Sequence, residues 1–159
     1  MAAPRFVVDV NVGRLGKWLR AMGYDALFVP DVDDADLLEI ARRESRILLT
    51  RDTHLLERRA VTTGGVRAVL VKGDHLAEQI QHVASVFGLE ASQDFVRCIE
   101  CNAPLHGIGK AVVSERVPPH VFKTQDTFKE CPTCHKVYWR GTHWRNMKRE
   151  MARALGEQA

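Results

Sequence analysis

Cys98, Cys101, Cys131 and Cys134 form two Cys-x-x-Cys pairs separated by 29 residues, and they are the only cysteines in the chain. A two-residue gap lets both sulfurs of a pair reach one ion while the intervening amides point at the sulfurs. Two such knuckles therefore supply the four thiolates of a tetrahedral zinc site. A catalytic zinc usually keeps one coordination position open, so a closed set of four thiolates predicts a structural ion. Two disulfides are the alternative, and they belong to oxidising compartments.

A second constellation is acidic. Asp9 interrupts the apolar run Phe6-Val7-Val8-Asp9-Val10, read as a buried strand. A buried carboxylate without a partner is costly, so Asp9 calls for a metal, a cation or several hydrogen-bond donors. Its plainer role is that of a strand-end aspartate accepting amides of the next turn. Asp52 closes Leu49-Thr50-Arg51-Asp52, where a turn or helix cap is the plain role. Asp34 suits an N-cap and Asp36 a first-turn acid. The ends of strands 1 and 3 and the start of the intervening helix share the carboxyl edge of a parallel sheet, where open α/β folds place ligands. Clustered carboxylates repel one another unless a cation sits between them, which points to Mg2+ or Mn2+ and to phosphodiester hydrolysis. Arg14, Lys17 and Arg51 fall near this edge and could hold a phosphate backbone. For Lys17 an ordinary solvated role is equally apt.

The elements that must position these groups follow from periodicity. Phe6–Val10, Ala26–Val29, Ile47–Thr50 and Val66–Val71 read as buried strands. Leu15, Leu19 and Met22 share a helical face beside Trp18, and Gly23 stands where a C-terminal glycine cap belongs, predicting a helix over 13–22. A second helix begins at Asp34 and carries Leu37, Leu38, Ile40 and Ala41. A short one follows Asp52, and another bears Leu76, Ile80, Val83 and Phe87 and stops at Gly88. Strands alternating with helices predict an α/β class with a parallel sheet covered on both faces. The composition changes near Phe95 to Arg97, which divides the chain into 1–96 and 97–159. The second part reads as short strands and loops: Cys98 to Cys101, a segment with Val112 and Val113, a break at Pro118-Pro119, and Cys131 to Cys134 leading into Val137-Tyr138-Trp139. That is too little core to fold unaided. A final amphipathic helix carries Trp144, Met147, Met151 and Leu155 on its apolar stripe and Arg145, Lys148, Arg149 and Arg153 elsewhere.

Charge follows the same division. Residues 1–96 hold 12 Lys and Arg against 14 Asp and Glu, net −2, and residues 97–159 hold 11 against 6, net +5. A basic part beside an acidic site suits a polyanion held by one and processed by the other, although a solvated helix face would give the same bias. No apolar run approaches the roughly 20 residues of a membrane span, and no signal-peptide pattern opens the chain. A soluble, cytoplasmic protein with reduced cysteines is expected.

Asp9-Val10-Asn11-Val12-Gly13-Arg14-Leu15-Gly16-Lys17-Trp18-Leu19-Arg20, the acidic run to Asp36 and Leu48-Leu49-Thr50-Arg51-Asp52 resemble PIN-like nucleases. Arg97-Cys98-Ile99-Glu100-Cys101-Asn102 and Cys131-Pro132-Thr133-Cys134-His135-Lys136-Val137-Tyr138-Trp139-Arg140-Gly141-Thr142-His143-Trp144 resemble the zinc-ribbon half of the Mut-seven C-terminal RNase domain family. The resemblance covers nearly the whole chain. It implies a PIN-like α/β domain over 1–96, then a zinc ribbon with a basic C-terminal helix over 97–159. It also implies a metal-dependent RNase site on Asp9, Asp34 and Asp52, with Asp36 as a fourth acid. Asp34 stands seven residues before Ala41, as the family's Asp-to-Ala helix spacing requires. PIN nucleases commonly carry a further late acid, for which Asp74, in a Lys72-Gly73-Asp74 turn, is the candidate.

The expected function is hydrolysis of single-stranded or locally unpaired RNA by a Mg2+- or Mn2+-dependent ribonuclease. Arg140, Trp144, Arg145, Lys148 and Arg149 would hold the RNA, with Trp139 and Trp144 as stacking platforms or as packing residues. His106, His120, His135 and His143 are not expected as zinc ligands. His135 should face solvent, and packing or RNA contact accounts equally for His143. The competing expectation is a non-catalytic RNA-binding or ribosome-associated adaptor whose acids are caps and turns. A toxin-like nuclease under a protein regulator is a third.

Overall fold

The computed structural model describes residues 2–156. Four parallel strands, β1 (Phe6–Val8), β2 (Ala26–Phe28), β3 (Ile47–Thr50) and β4 (Ala68–Leu70), pair in the order β2-β1-β3-β4. Helix α1 (Gly13–Ala21) links β1 to β2 and α2 (Asp34–Arg43) links β2 to β3. The short helices α3 (Thr53–Leu56) and α4 (Arg59–Thr62) link β3 to β4, and α5 (Leu76–Phe87) follows. Alternate residues of each strand face opposite layers. Phe6, Val8, Ile47 and Leu49 pack with α1 and α5, whereas Val7 and Leu48 pack with Leu37, Leu38 and Ala41 of α2 and Leu55 of α3. This is the parallel sheet covered on both faces that the alternating pattern implied. Gly16 permits the close approach of α1 to β1, because a Cβ there would lie 2.9 Å from Val8 Cγ2.

Element ends follow the chemistry of their caps. Gly23 has φ +104° and Gly88 φ +64°, so both expected helix stops are left-handed glycines. Several expected ends change: β2 stops at Phe28 and not Val29, β4 is Ala68–Leu70 and not Val66–Val71, and α1 ends at Ala21 with Met22 as its cap. Strand β1 ends at Val8, not Val10, because Asp9 takes up an extended conformation and caps a 3-10 turn over Val10–Val12. Helix α2 is capped by Asp33, whose carboxylate accepts the Asp36 amide at 2.8 Å. Asp34 is the first helical residue.

In the second part, β5 (His106–Ile108), β6 (Phe128–Glu130) and β7 (Val137–Tyr138) form an antiparallel sheet in sequence order. The Cys98 to Cys101 segment is a loop closed by an isolated bridge, Arg97 to Pro104, and Val112 and Val113 lie in a 3-10 turn. Pro118-Pro119, expected as a break among short strands and loops, instead starts a helix. Pro119 opens α6 (Pro119–Thr124), where the missing N–H leaves no bond unmade. Helix α7 (Thr142–Ala154) buries Trp144, Met147 and Met151 in the same core as Phe6, Leu19 and Val83. A separate small cluster of Val113, Val117, Val121 and Phe128 holds the loop side. No helix among the described residues is long and apolar enough to cross a membrane.

The two parts are joined at the open edge of β2. The N–H of Ala26 donates to Asn102 Oδ1 at 3.0 Å, and its carbonyl accepts Arg20 Nε at 2.8 Å. Arg20, 6% exposed, also donates to the carbonyls of Ile99 and Glu100 inside the first cysteine knuckle, at 2.8 and 3.2 Å. Asn102 Nδ2 donates to Asp25 at 2.7 Å, and Asp25 accepts Arg46 at 2.6 Å. Burial alone would raise the Asp25 carboxyl, but the bonds from Arg46, Asn102 and Arg5 overcome it and hold the group at about 2.

Asn102 sits at φ +65°. Asn102→Ala would remove both side-chain bonds and strain the backbone, so urea unfolding should show a loss of about 2–4 kcal/mol. Asn102→Gly removes the same bonds without the strain and should lose about 1–2 kcal/mol. An Ala variant within about 0.5 kcal/mol of the parent would show that this seam holds nothing.

Candidate active site and metal centre

The chain passes from β1 to β2 on one side and then crosses back to β3 on the other, so the strand order reverses between β1 and β3. Loops leaving two such strands diverge to opposite faces and open a crevice at their carboxyl ends. Asp9 and Asp52 stand on the two lips. Asp9 Oδ1 accepts the Val10 amide at 2.8 Å, and Oδ2 accepts the Thr50 hydroxyl at 2.8 Å. The same hydroxyl oxygen accepts the Asp52 amide at 3.0 Å, while Asp52 Oδ1 caps α3 through the His54 amide at 2.9 Å. Asn11 Oδ1 accepts the Arg51 amide at 3.2 Å. Thr50, fully buried, is thus the bridge between the two acids, and Asn11 is a second tie. Neither role is visible in a sequence, because a hydroxyl or amide side chain carries no charge or periodicity that marks it.

The remaining acids are less closely gathered. Asp34 lies at the start of α2 with its carboxylate half exposed and 3.9 Å from Arg58 Nη1, and Asp36 is exposed one residue beyond Ala35. Among the described residues, the four cysteines are the one group of three or more His, Cys, Asp or Glu side chains close enough to share an ion. Asp74, 89% exposed, holds Arg51 Nη2 at 3.1 Å, and the carbonyls of Val71 and Gly73 also accept from Arg51. The fifth acid of this edge therefore anchors the Arg51 guanidinium. A cleft of about 380 Å³ runs beside Asp9, lined by Val10, Asn11, Arg14, Asp74 and Gln79. Arg14 is exposed on it. Lys17 points elsewhere, 3.7 Å from Glu100 of the first knuckle, so it does not serve this edge.

The cysteine knuckles are near copies of each other. Cys98 Sγ accepts the Cys101 amide at 3.3 Å, and Cys131 Sγ accepts the Thr133 and Cys134 amides at 3.4 and 3.5 Å. Asn102 and His135, each directly after the second cysteine, are both left-handed, at φ +65° and +63°. The four sulfurs lie within 4.8 Å of one another, and Cys98 and Cys134 are 3.6 Å apart. A tetrahedral ion with Zn–S bonds of about 2.3 Å needs sulfur–sulfur edges of about 3.8 Å, so the cluster could hold zinc. Protonation reports the same crowding. Burial opposes it, yet the Cys134 and Thr133 amides bring the Cys131 thiol down to about 7. Hydrogen bonding with Cys134, burial and the neighbouring thiolates push Cys101 up to about 12. Four thiolates in this space need a cation between them. Tyr138 supports the set from behind, donating to Cys98 Sγ at 3.2 Å and accepting the Ile99 amide at 3.0 Å. None of the four nearby histidines belongs to it; His135 is exposed and His106 pairs with Glu130 at 3.2 Å.

The expected RNA-contacting residues divide in two. Arg145, Lys148 and Arg149 lie on α7, with Arg145 and Arg149 exposed and Lys148 half-buried, its ammonium 2.7 Å from Gln93 Oε1. Arg140 is exposed but paired with Asp94 at 3.3 Å. Trp144 is a correction. At 4% exposure, with its ring 4.3 Å from that of Phe95, it is a core residue with no face open to a base. Trp139 is half-buried, edge-on to Phe128 at 6.4 Å.

A family model described as Mut7-C RNAse domain matches residues 4–151. No curated protein and no solved structure matches the chain.

Thr50→Val keeps the shape but leaves the Asp52 amide and one Asp9 oxygen without a partner. It should cost about 1–3 kcal/mol in urea unfolding. Thr50→Ser keeps the hydroxyl and should lose about 1 kcal/mol, for one methyl group. A Val variant as stable as the parent would show that Thr50 does not bridge the lips.

Proposed function

Because the chain belongs to the Mut7-C RNase domain family, we propose that it is a Mg2+- or Mn2+-dependent ribonuclease acting on single-stranded or unpaired RNA at the carboxyl edge of β1 and β3. The observation that carries this reading is the Thr50 hydroxyl, which fixes Asp9 and the Asp52 backbone on facing lips of the switch-point crevice. Each oxygen of Asp9 accepts one bond and retains a second lone pair, and one oxygen of Asp52 is not used by the cap. Asp34 completes the set in this proposal, with Asp36 beside it as the alternative. Its pair with Arg58 is solvent-exposed and long, the kind worth about 0–1 kcal/mol, so it can be exchanged for a cation. A bound divalent ion supplies an acidified water and charge neutralisation at the phosphate. Asp9 and Asp52 orient that ligand set, Arg14 meets the phosphate backbone in the adjoining cleft, and Arg51, steadied by Asp74, fixes the β3 lip.

Residues 97–159 act in this reading as the RNA-holding part. Structural zinc on Cys98, Cys101, Cys131 and Cys134 shapes the ribbon, and Arg145, Lys148 and Arg149 present its basic helix. Reduced thiolates of this kind fit a cytoplasmic setting. A second reading, a non-catalytic RNA-binding adaptor, has its own support: Asp9 and Asp52 are each occupied as local caps and Asp34 by an arginine.

Incubation of labelled single-stranded RNA with Mn2+, Mg2+ or EDTA separates the two. Cleavage should require the ion and fall by roughly 100-fold or more in Asp9→Asn and Asp52→Asn. Cleavage that persists in both variants removes the proposed site, and none by the parent on varied RNAs favours the adaptor. Cys131→Ser should lose zinc and weaken RNA binding, and Lys148→Glu with Arg149→Glu should weaken binding with zinc retained. A zinc-free variant that binds RNA normally reduces the ribbon to a staple.

A further inference from the structure

A cleft of about 460 Å³ lies in the cysteine-bearing part, between α6, β7 and the start of α7, and shares no lining residue with the acidic crevice. Its volume falls in the range that small organic ligands occupy. Its chemistry is one-sided. Among the described residues no Asp or Glu lines it, while Lys136, Arg145, His120 and His143 do. Lys136, Arg145 and both histidines are exposed, so their charges and donors are not consumed in the core. Beneath them the floor is aromatic: Phe95, Tyr138 and Trp144 are packed ring to ring at 4.9 and 4.3 Å and are at most 5% exposed.

Trp139 forms the wall that a flat ligand would meet. Its indole lies directly over Gly141, where a Cβ would come within 2.6 Å of Nε1, so only glycine lets the chain turn beneath the ring. Gln125 Nε2 donates to the Arg140 carbonyl at 3.3 Å and braces the opposite side of that turn. The rim amides of the first turn of α7 have no side-chain cap and add to the positive lining. The half-buried Trp139 ring and a rim that is basic among the described residues together select a ligand with a planar ring and a negative charge.

We infer that this cleft is a pocket for one unpaired nucleotide of RNA, the base resting along Trp139 and the phosphate facing Lys136 and Arg145. The inference rests on the reading of the chain as an RNA-acting protein, and it names where the ribbon part takes hold. A paired base cannot enter, because its faces are stacked and its edge is engaged, so the pocket itself imposes the single-strand preference. It also supplies sequence-tolerant binding, since every base offers a π-face.

The test uses the zinc-loaded, 15N-labelled full chain without Mg2+ or Mn2+, titrated with adenosine 5′-monophosphate, adenosine, inorganic phosphate and a short single-stranded RNA. The nucleotide and the RNA should shift the indole N–H of Trp139 and the amides of Gly141 and His143. Adenosine and phosphate should each bind about tenfold more weakly, having half of the contacts. Lys136→Ala combined with Arg145→Ala, both at exposed positions, should weaken the nucleotide about tenfold with zinc content unchanged. Lining resonances that no nucleotide or RNA moves would overturn the inference. So would phosphate binding as tightly as the nucleotide, which would leave a bare anion site, or an unaltered affinity in the double variant. Asp9→Asn separates this inference from the nuclease reading: nucleotide shifts retained in a variant that does not cleave leave the pocket standing whatever becomes of the acids.

Discussion

The constraint on which the rest of the fold depends is the open edge of β2. An edge strand presents unpaired main-chain groups, and here those of Ala26 are taken up by the first cysteine knuckle and by the Arg20 that reaches it. Ala26 gives its N–H to Asn102 and takes Arg20 on its carbonyl, and Arg20 reaches onward to the carbonyls inside the knuckle. Asn102 makes this bond from the left-handed position directly after Cys101, whose sulfur lies with the other three within 4.8 Å. One turn of chain thus both carries Cys98 and Cys101 and meets the edge of the sheet. The shared core says the same: Cys98 and Cys131 are buried with Phe6, Leu19 and Met151.

From that edge the order propagates to the chemistry. Helix α1 is pinned at its C-terminal end by Arg20 and pressed onto β1 through Gly16, which fixes the turn that carries Asp9. Strand β3 lies beside β1 with Leu49 opposite Val8, so Thr50 comes within reach of Asp9. Two acids separated by more than forty residues are brought to facing lips by a strand register and one hydroxyl. The basic residues are distributed differently: Lys17 and Arg140 are engaged by Glu100 and Asp94, whereas Arg14, Arg145 and Arg149 remain exposed.

Much of this was legible from residue order because it depends on local rules. Strand positions followed from short apolar runs, helix ends from Gly23 and Gly88, and the cysteine cluster from spacing alone. What was not legible depends on partners distant in the chain. Asp9 looked like a charge inside a strand because Val10 continues the apolar run, but the extended Asp9 starts a new turn. Asp33 displaced Asp34 as the cap since either carboxylate can reach an amide two or three residues on. Pro118-Pro119 reads as a break from composition and as a helix start from φ alone. Trp144 is amphipathic in type, and only the position of Phe95 decides that it is buried. Thr50 and Asn11 become visible as site residues only once β1 and β3 are paired.

The central claim is that the carboxylates at the carboxyl ends of β1 and β3 hold a divalent ion. A crystal of the zinc-loaded protein grown with millimolar Mn2+, with diffraction recorded at the manganese absorption edge, addresses it directly. One anomalous peak is expected in contact with Asp9 and Asp52, with Asp34 or Asp36 turned toward it, in addition to the zinc peak among the four cysteines. Zinc density at the cysteines with no manganese between Asp9 and Asp52 would contradict it.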